Sequence, residues 1–362
     1  MPDFPWDSLA PYRALAAEHP GGVVDLSVGT PVDPTPALIQ DALRAAADAP
    51  GYPTTHGTPA LREAVVGWFE RTRSVTGLGA DAVLPTVGSK ELVAFLPALL
   101  GLGERDTVVH PAVAYPTYAV GATLAGASAL ATDDVATWEG REDVRLVWVN
   151  SPSNPTGGVL SRDHLRTVVQ AARRIGAVVA SDECYAALSW TDDPVPSILD
   201  ADVCGGSHDG LLAVYSLSKQ SSIAGYRAAF VAGDASLIAG LLEARKHAGM
   251  IVPAPVQAAM TVALGDDDHV AAQRETYRAR REALLEAVHD AGLSVSGSEA
   301  GLYLWATRDE DCWQTIEWLA GRGIIAAPGA FYGAAGARHV RIALTATDER
   351  VQEACRRLSI DR

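Results

Sequence analysis

The central stretch of the chain is Leu211-Leu212-Ala213-Val214-Tyr215, followed by Ser216-Leu217-Ser218-Lys219 and then by Gly225-Tyr226-Arg227. A short apolar run that ends in polar residues is typical of a strand buried in a parallel sheet. A lysine at this position can bond to an aldehyde as a Schiff base, and the serines and Arg227 can grip a phosphate. The stretch therefore predicts a central strand, followed directly by a lysine that bonds covalently to an aldehyde.

Similar apolar runs occur upstream, at residues 107–110, 144–149 and 177–180. A helical pattern lies between the last two, at residues 161–175. It begins with Ser161 and an acid in the first turn, and it ends in cations followed by Gly176, which are start and stop signals of a helix. Strands that alternate with helices predict an α/β fold whose mostly parallel sheet is covered by helices on both faces.

The pattern changes towards the carboxyl terminus, where we expect a second, smaller α+β domain. Residues 235–288 are largely helical, with interruptions at Pro253 and Pro255, and strand-like pieces follow at 302–305 and 340–344. Residues 38–47 predict a helix capped by Asp33 or Thr35. We expect a large domain at 46–250 and a small domain formed by 1–45, the N-terminal arm, together with 251–362.

Composition excludes several classes of function. A net charge of −15 argues against nucleic acid and anionic membranes as partners. The chain contains no apolar run of the roughly 20 residues that cross a bilayer, and its start does not resemble a secretory signal. The four cysteines are scattered and form no metal-type pair, which predicts reduced thiols in a cytoplasmic protein without a bound metal.

Two polar residues follow predicted strands, where ligands bind in open α/β sheets. Asp182 comes directly after residues 177–181 and can pair with a ring nitrogen and keep it protonated, or it can simply cap the next helix. Asn154 lies in Ser153-Asn154-Pro155-Thr156-Gly157 and can donate to a ring oxygen, although this sequence is also good turn chemistry.

Two further positions are candidates for binding anions. Gly88-Ser89-Lys90 precedes a helical stretch, so a phosphate there meets unpaired backbone N–H groups; small residues at a helix start are also common without any ligand. Arg341 is the single charge in residues 340–344, and an arginine fork suits a carboxylate. The alternative is that Arg341 faces solvent from a half-exposed strand.

Aromatic residues complete the set. Tyr115 or Tyr118, which follow the strand at 107–110, can stack on a heterocycle or pack in the core. Phosphate, ring nitrogen, ring oxygen, ring face and aldehyde thus each have a candidate partner. Together these residues predict a site for pyridoxal 5′-phosphate.

The order of these motifs resembles that of the class I/II aminotransferases, which are pyridoxal-phosphate enzymes of fold type I, the aspartate aminotransferase fold. The resemblance covers nearly the whole chain and includes Tyr52…Gly57, Gly88-Ser89-Lys90, Tyr115…Tyr118, Asn154-Pro155-x-Gly157, Asp182-x-x-Tyr185, Ser216-x-Ser218-Lys219, Arg227 and Arg341. It implies a large domain with a mostly parallel sheet of the seven-stranded type, a smaller α+β domain and a homodimer with shared active sites.

The resemblance also implies roles for individual residues. Lys219 forms the internal aldimine and shuttles the proton, Asp182 binds the pyridine nitrogen, Tyr185 and Asn154 bind the ring oxygen, and Tyr115 stacks on the ring. The phosphate is held by Ser89, Lys90, Ser216 and Arg227, and also by Tyr52 of the neighbouring subunit. Arg341, with the Gly29 backbone and Asn154 nearby, binds the substrate α-carboxylate.

Several stretches are most similar to actinobacterial succinyldiaminopimelate aminotransferases of lysine and diaminopimelate biosynthesis. These stretches are Phe4-Pro5-Trp6-Asp7-Ser8-Leu9, residues 25–33, residues 51–57 and residues 114–118. The implied reaction moves the amino group of L-glutamate to N-succinyl-2-amino-6-oxopimelate.

Three alternatives share much of this pattern. One is another class I/II aminotransferase with an aspartate-type or aromatic acceptor. Another is a pyridoxal-phosphate C–S lyase, because the same cofactor contacts serve β-elimination. The third is an effector-sensing module that binds the cofactor without turnover, but such modules usually carry a basic helix-turn-helix, which this sequence lacks.

Overall fold

The computed structural model describes residues 5–359. Phe4, which belongs to one of the stretches quoted for the family resemblance, lies outside this range. The helices are α1 (Ala10–Ala17), α2 (Ala37–Ala45), α3 (Pro59–Arg73), α4 (Ser89–Leu99), α5 (Thr117–Ala125), α6 (Arg162–Ile175), α7 (Ala201–Cys204), α8 (Ala235–Ala248), α9 (Ala254–Leu264), α10 (Asp268–Asp290), α11 (Cys312–Ala320) and α12 (Asp348–Leu358).

The strands are β1 (Val24–Asp25), β2 (Val83–Val87), β3 (Thr107–His110), β4 (Ser128–Ala131), β5 (Val144–Asn150), β6 (Val178–Asp182), β7 (Leu211–Ser216), β8 (Ala228–Gly233), β9 (Ser294–Ser296), β10 (Tyr303–Thr307), β11 (Ile324–Ile325), β12 (Ala327–Pro328) and β13 (Val340–Ala343). Short 3₁₀ helices occupy Pro5–Leu9, Ala80–Ala82, Val135–Thr137, Ala224–Tyr226, Gly329–Tyr332 and Ala334–Gly336.

A seven-stranded sheet in the order β2-β8-β7-β6-β5-β3-β4 forms the centre of the protein. Strand β8 runs opposite to both of its neighbours, and the remaining pairs are parallel. Successive residues of β5 point to opposite faces, so Val147 packs in one apolar core and Trp148 in another. Both faces are therefore buried, and the predicted α/β fold with a mostly parallel sheet is confirmed.

The predicted helix at 161–175 is confirmed as α6, together with its end signals. The Ser161 hydroxyl oxygen accepts a hydrogen bond of 3.2 Å from the backbone N–H of His164. Gly176 ends the helix in the left-handed conformation, with φ of 69°. This helix connects β5 to β6, the two strands whose ends carry Asn150 and Asp182.

A second sheet, in the order β12-β13-β10-β9, is antiparallel throughout. The amino-terminal segment packs with this part of the chain: β1 pairs in parallel with β11, and Leu9 and Leu26 share its apolar core. The division of the chain into a large domain at 46–250 and a small domain at 1–45 and 251–362 stays a prediction. Ile39 and Met260, which it assigns to the small domain, pack in the core of the large sheet.

The predicted caps of the second helix are wrong. Helix α2 begins after Pro36, and no side chain caps it. The Asp33 carboxylate instead accepts hydrogen bonds from Arg280 and Gln273, and the Thr35 hydroxyl donates 2.8 Å to the backbone oxygen of Ser222. Both side chains thus bond to residues far away in sequence instead of capping the nearby helix. Local capping rules do not include such long-range partners.

Within residues 5–359, no helix combines the length and apolar character needed to cross a membrane.

Candidate active site

Three polar strand ends meet at one edge of the large sheet. In the parallel register Asn150 on β5 lies beside Asp182 on β6, and Asp182 lies beside Val214 on β7. The loop behind β5 carries Asn154, and the turn behind β7 carries Lys219. Because the carboxyl ends of parallel strands share one edge, residues far apart in sequence converge on a single site.

A cavity of about 650 Å³ lies at this edge. It brings together all but one of the residues that the sequence proposed for the site: Gly29, Ser89, Lys90, Tyr115, Asn154, Asp182, Tyr185, Ser216, Lys219, Arg227 and Arg341. Tyr52 is the exception, because its side chain is fully exposed on the surface of the chain. Its predicted contact is with the partner subunit, and that contact stays a prediction.

Asp182 is held by two donors within the cavity wall. The Tyr118 hydroxyl donates 2.8 Å to Oδ2, and the backbone N–H of Cys184 lies 3.2 Å from Oδ1. Tyr118, proposed above as a stacking residue, is buried against Trp148 and orients the carboxylate instead. Burial raises the pKa of Asp182 despite these hydrogen bonds, so a cationic partner stabilises its charged form.

Lys219 projects into the cavity from the turn behind β7. Its Nζ donates a hydrogen bond to the backbone oxygen of Gly29. Burial lowers the pKa of the amine, since desolvation disfavours the charged form. The site thus favours a neutral lysine, the form that acts as a nucleophile or as a base.

Gly88, Ser89 and Arg227 form a cradle for an anion at the start of helix α4. Gly88 has φ of 75°, and a Cβ there would lie 2.0 Å from Nη2 of Arg227. Only glycine therefore lets this guanidinium pack against the backbone. The Ser216 hydroxyl, which donates 2.8 Å to Ser218, lines the same cavity as the first N–H groups of α4.

Lys90 and Tyr115 lie together in the wall of the cavity. The Lys90 Nζ is 5.3 Å from the centre of the Tyr115 ring, within the range of a cation–π contact. Trp6 lies beside the same ring, with 6.2 Å between the centroids. An aromatic face backed in this way suits stacking against a planar heterocycle.

Arg341 is a buried cation, with only 3% of its surface exposed. Its Nη1 donates 2.9 Å to the amide oxygen of Asn154, and its Nη2 donates 2.7 Å to the backbone oxygen of Ser27. Its Nε finds no partner, and it forms no ion pair with a carboxylate, among the described residues. The outward-facing alternative is therefore wrong, and the guanidinium is suited to an incoming carboxylate.

Sequence reasoning missed Tyr303 as a residue of the cavity. Its hydroxyl lies 3.1 Å from that of Tyr185, and the Arg341 guanidinium lies 4.0 Å from the centre of its ring. The sequence predicts a strand at 302–305, but no local signal shows which face meets the site. The position of Tyr303 follows from the register of β10 and β13. Trp305 lies opposite Arg341 in this register, so Tyr303, two residues earlier on the same face, lies diagonally across from Arg341.

Comparison with known proteins agrees with this geometry. The family "Aminotransferase class I and II" matches residues 21–358, and the chain belongs to this family. It is 60% identical over 359 residues to a probable aminotransferase of Mycobacterium tuberculosis, covering 99% of this chain and 85% of that protein. It is 57% identical to 4-dedimethylamino-4-oxo-anhydrotetracycline transaminase OxyQ of Streptomyces rimosus, covering 99% of each.

Among solved structures, the chain is similar to a probable N-succinyldiaminopimelate aminotransferase from Thermus thermophilus. The TM-score is 0.88 at 27% sequence identity, and the match covers 99% of this chain and 100% of that one. The fold is therefore that of the aspartate-aminotransferase-like fold type I proteins, and the protein is an aminotransferase that depends on pyridoxal phosphate. Its buried carboxylate, lysine and anion cradle fit that cofactor.

Proposed function

We propose that this aminotransferase moves the amino group of L-glutamate to N-succinyl-2-amino-6-oxopimelate, the succinyldiaminopimelate transaminase reaction of lysine biosynthesis. The observation that carries the proposal is the buried Arg341, which lacks a carboxylate partner among residues 5–359 and faces the same cavity as Lys219. Donor and acceptor both carry a carboxylate next to the reacting carbon, and one arginine can bind either of them in turn.

The charges of the cavity support an acceptor with several carboxylates. Apart from the Lys219 amine, its cationic side chains are Arg13, Lys90, Arg227 and Arg341, and its acidic side chain is Asp182, whereas the whole chain has a net charge of −15. N-succinyl-2-amino-6-oxopimelate carries several carboxylates, so a cationic cavity in an acidic protein attracts it over neutral keto compounds. The similarity to the Thermus thermophilus protein, whose name gives this activity, is further support.

Bound pyridoxal phosphate supplies the aldehyde that takes up the amino group and a ring that withdraws electrons. Asp182, at the end of β6, holds the ring nitrogen in its protonated form. Lys219, in its neutral form, would accept the proton of the substrate α-carbon and hold it beside the reacting atoms. Burial lowers the pKa of Lys219, which shifts the amine towards the neutral form that this proton transfer needs.

The other residues position these groups. In this proposal Tyr185 and Asn154 donate to the ring oxygen, Tyr115 stacks on the ring, and the phosphate is held by Ser89, Lys90, Ser216 and Arg227. Tyr52 reaches the phosphate in the partner subunit, so the active form is a homodimer, which we place in the cytoplasm. The Gly29 backbone borders the substrate beside Arg341. The large domain at 46–250 carries the cofactor, and the small domain brings Arg341 to it.

A second candidate acceptor rests on one observation, the 57% identity to OxyQ over 99% of both chains. The name of that relative gives a 4-oxo-anhydrotetracycline, a polycyclic ketone. The cavity of about 650 Å³, with Trp6 and Tyr115 in its wall, offers aromatic surface to such a ligand. If the tetracycline ketone is the acceptor, the cofactor chemistry is unchanged, and the amino group is transferred to the 4-oxo group instead of the keto group of the succinylated acid.

One screen decides between these acceptors. The purified protein, loaded with pyridoxal phosphate and glutamate, is given the succinylated oxopimelate, oxaloacetate, aromatic keto acids and the 4-oxo-anhydrotetracycline in parallel, and 2-oxoglutarate is measured. We expect the highest kcat/KM with the succinylated acid. A preference for the tetracycline ketone would replace that acceptor with the second candidate, and release of pyruvate and thiol from cystathionine without glutamate would favour the C–S lyase.

A further inference from the structure

Tyr303 occupies the point where the two sheets meet at the cavity. It begins β10 in the antiparallel sheet, and its hydroxyl reaches the segment that carries Gly29. A Cβ placed on Gly29 would lie 2.0 Å from the Tyr303 hydroxyl, so the hydroxyl occupies the space that a side chain at position 29 would need. The Nζ of Lys219 donates to the backbone oxygen of the same glycine. The Tyr303 hydroxyl therefore lies beside the reacting lysine.

The same side chain contacts two groups with separate tasks. Its hydroxyl forms a 3.1 Å hydrogen bond with the hydroxyl of Tyr185, and its ring lies under Arg341 at 4.0 Å. Arg341 in turn donates to Asn154. Tyr303 thus connects Tyr185 to Arg341, and Arg341 connects in turn to Asn154.

We propose that Tyr303 is a positioning residue that couples Arg341, which binds the substrate carboxylate, to Tyr185, which contacts the cofactor. The inference rests on the roles proposed above for those two residues. Tyr303 fixes the guanidinium plane from one side, and its hydroxyl orients the Tyr185 phenol. A carboxylate that binds at Arg341 therefore acts on Tyr185 through Tyr303, in addition to the direct hydrogen bond between Arg341 and Asn154.

Tyr332 is a second tyrosine whose ring lies near Arg341. It differs from Tyr303 in its hydroxyl, which makes no hydrogen bond within residues 5–359. Tyr332 is also buried and lies 5.1 Å from the same guanidinium, but its hydroxyl has no partner among the described residues. The two residues form a matched pair for substitution.

The test is a double-mutant cycle on Tyr303→Phe and Tyr185→Phe, with Tyr332→Phe as the control. Each full-length variant is compared with the wild type in three measurements: the dissociation constant of pyridoxal phosphate from the apoenzyme, that of glutarate from the holoenzyme, and kcat/KM for glutamate. Glutarate is a dicarboxylate without an amino group and reports on the carboxylate site alone. Thermal unfolding of each variant reports on folding.

We expect Tyr303→Phe to weaken both glutarate and cofactor binding, each by about three- to ten-fold, the effect of one lost hydrogen bond. Tyr185→Phe should also weaken glutarate binding by about three-fold, although it lies on the cofactor side. The double variant should be no worse than the worse single variant, because the shared bond is already absent. Tyr332→Phe should change each constant by less than about two-fold.

Additive losses in the double variant, or unchanged glutarate binding in Tyr185→Phe, would overturn the inference. Tyr185→Phe breaks the same bond from the other side, so it supplies the answer if Tyr303→Phe does not fold. A wild-type protein that bound cofactor and glutarate but transferred no amino group would contradict the proposed function. The coupling would still be measured from the two dissociation constants.

Discussion

Arg341 and Asn154, 187 positions apart in sequence, share a hydrogen bond of 2.9 Å between Nη1 and Oδ1. The bond joins β13 of the antiparallel sheet to the loop behind β5 of the large sheet. It also sets the orientation of the Asn154 amide, because an oxygen that accepts from arginine leaves the NH₂ group as the donor for another partner. In the proposed site, this contact therefore leaves Arg341 available to a carboxylate and the NH₂ group of Asn154 available to the ring oxygen of the cofactor.

The first prediction concerns Arg341→Lys. Lysine keeps the positive charge but loses the planar fork, and it cannot hold Asn154, Ser27 and a carboxylate together. Disrupting a buried, hydrogen-bonded charge costs about 2–5 kcal/mol, so we expect kcat/KM for glutamate to fall at least about 30-fold. Steady-state kinetics with saturating cofactor measure this effect.

The matched control is Arg338→Lys. Arg338 lies three residues before Arg341, is exposed, and pairs with Asp309 at 2.6 Å. A surface pair of this kind contributes about 0–1 kcal/mol, so the control should keep normal kinetics. Equal losses in both variants would show that the effect arises from the strand rather than from the buried fork.

The second prediction concerns Lys219→Ala, which we expect to abolish transamination. Borohydride treatment should attach the cofactor to the wild-type peptide that contains Lys219 and leave the variant unlabelled, as read by mass spectrometry. Lys246→Ala is the control, because Lys246 is exposed and pairs with Glu243 at 2.6 Å. Normal turnover of Lys219→Ala would refute the assignment of this lysine.

A third prediction follows from the burial that lowers the pKa of Lys219. The base must be neutral, so activity is lost at low pH, where the amine is protonated, and rises as the pH increases through the pKa. In the proposed mechanism Lys219 is bonded to the cofactor until glutamate displaces it, so its free amine titrates only in the enzyme–substrate complex. We therefore expect kcat, measured with saturating glutamate, to rise to a plateau with a midpoint below about 10.4, the ordinary lysine value. A midpoint at or above that value would mean that burial does not control this amine.

The sequence predicted much of this site because its residues lie at ends of regular elements. Asp182 ends β6, and Lys219 follows β7 by three residues, so the apolar runs before them locate both at the same edge of the sheet. Family motifs then indicated a role for each residue. The start and end of α6 were equally readable, since Ser161 and Gly176 act on their own helix.

The sequence did not predict features that depend on packing between distant segments. Tyr303 reaches the cavity only because β10 pairs with β13 in one register, and no residue near it marks that pairing. Asp33 has good local capping chemistry, but Arg280, 247 residues away, takes its carboxylate. Tertiary partners of this kind compete with local preferences and are not visible in a single sequence.

That distant partner leads to a fourth prediction, on stability. Arg280 donates to both carboxylate oxygens of Asp33, at 2.5 and 2.8 Å, and so ties the segment around Gly29 to helix α10. Arg280 also pairs with Asp348 at 2.7 Å and so keeps one carboxylate, and the loss of the charged hydrogen bonds to Asp33 should cost about 1.5–3 kcal/mol. We expect Asp33→Asn to lower the thermal midpoint clearly, while Asp41→Asn, in an exposed pair with Arg44, should leave it nearly unchanged.

The same pair predicts a dependence on pH. Burial alone raises the pKa of Asp33, but the hydrogen bonds from Arg280 and Gln273 outweigh it, so the net pKa is lowered. Its contribution to stability is therefore complete above the unfolded value of about 3.9 and is lost as the pH falls through the lower folded value. Unfolding by urea at a series of acidic pH values should show a smaller acid loss in Asp33→Asn; an identical loss would contradict this assignment.

The last prediction tests whether the active site is shared between two subunits, through Tyr52, whose side chain is fully exposed in the single chain. If Tyr52 of one subunit serves the Lys219 site of its partner, Tyr52→Ala and Lys219→Ala homodimers are each strongly impaired. A mixed dimer instead contains one site with both residues intact. Random mixing of the two variants by co-expression should then restore about a quarter of the wild-type activity, since half of the dimers are mixed and each has one intact site.

The control for this experiment mixes Asn154→Ala with Lys219→Ala. Both residues line the cavity within one chain, so a mixed dimer contains no site with both intact, and activity should not return. Recovery that occurs only with Tyr52→Ala requires the tyrosine to act across the interface. Native mass spectrometry checks that both mixtures form mixed dimers. If they do and neither mixture recovers activity, Tyr52 does not act on the site of its partner, and the proposed sharing of the site between subunits is wrong.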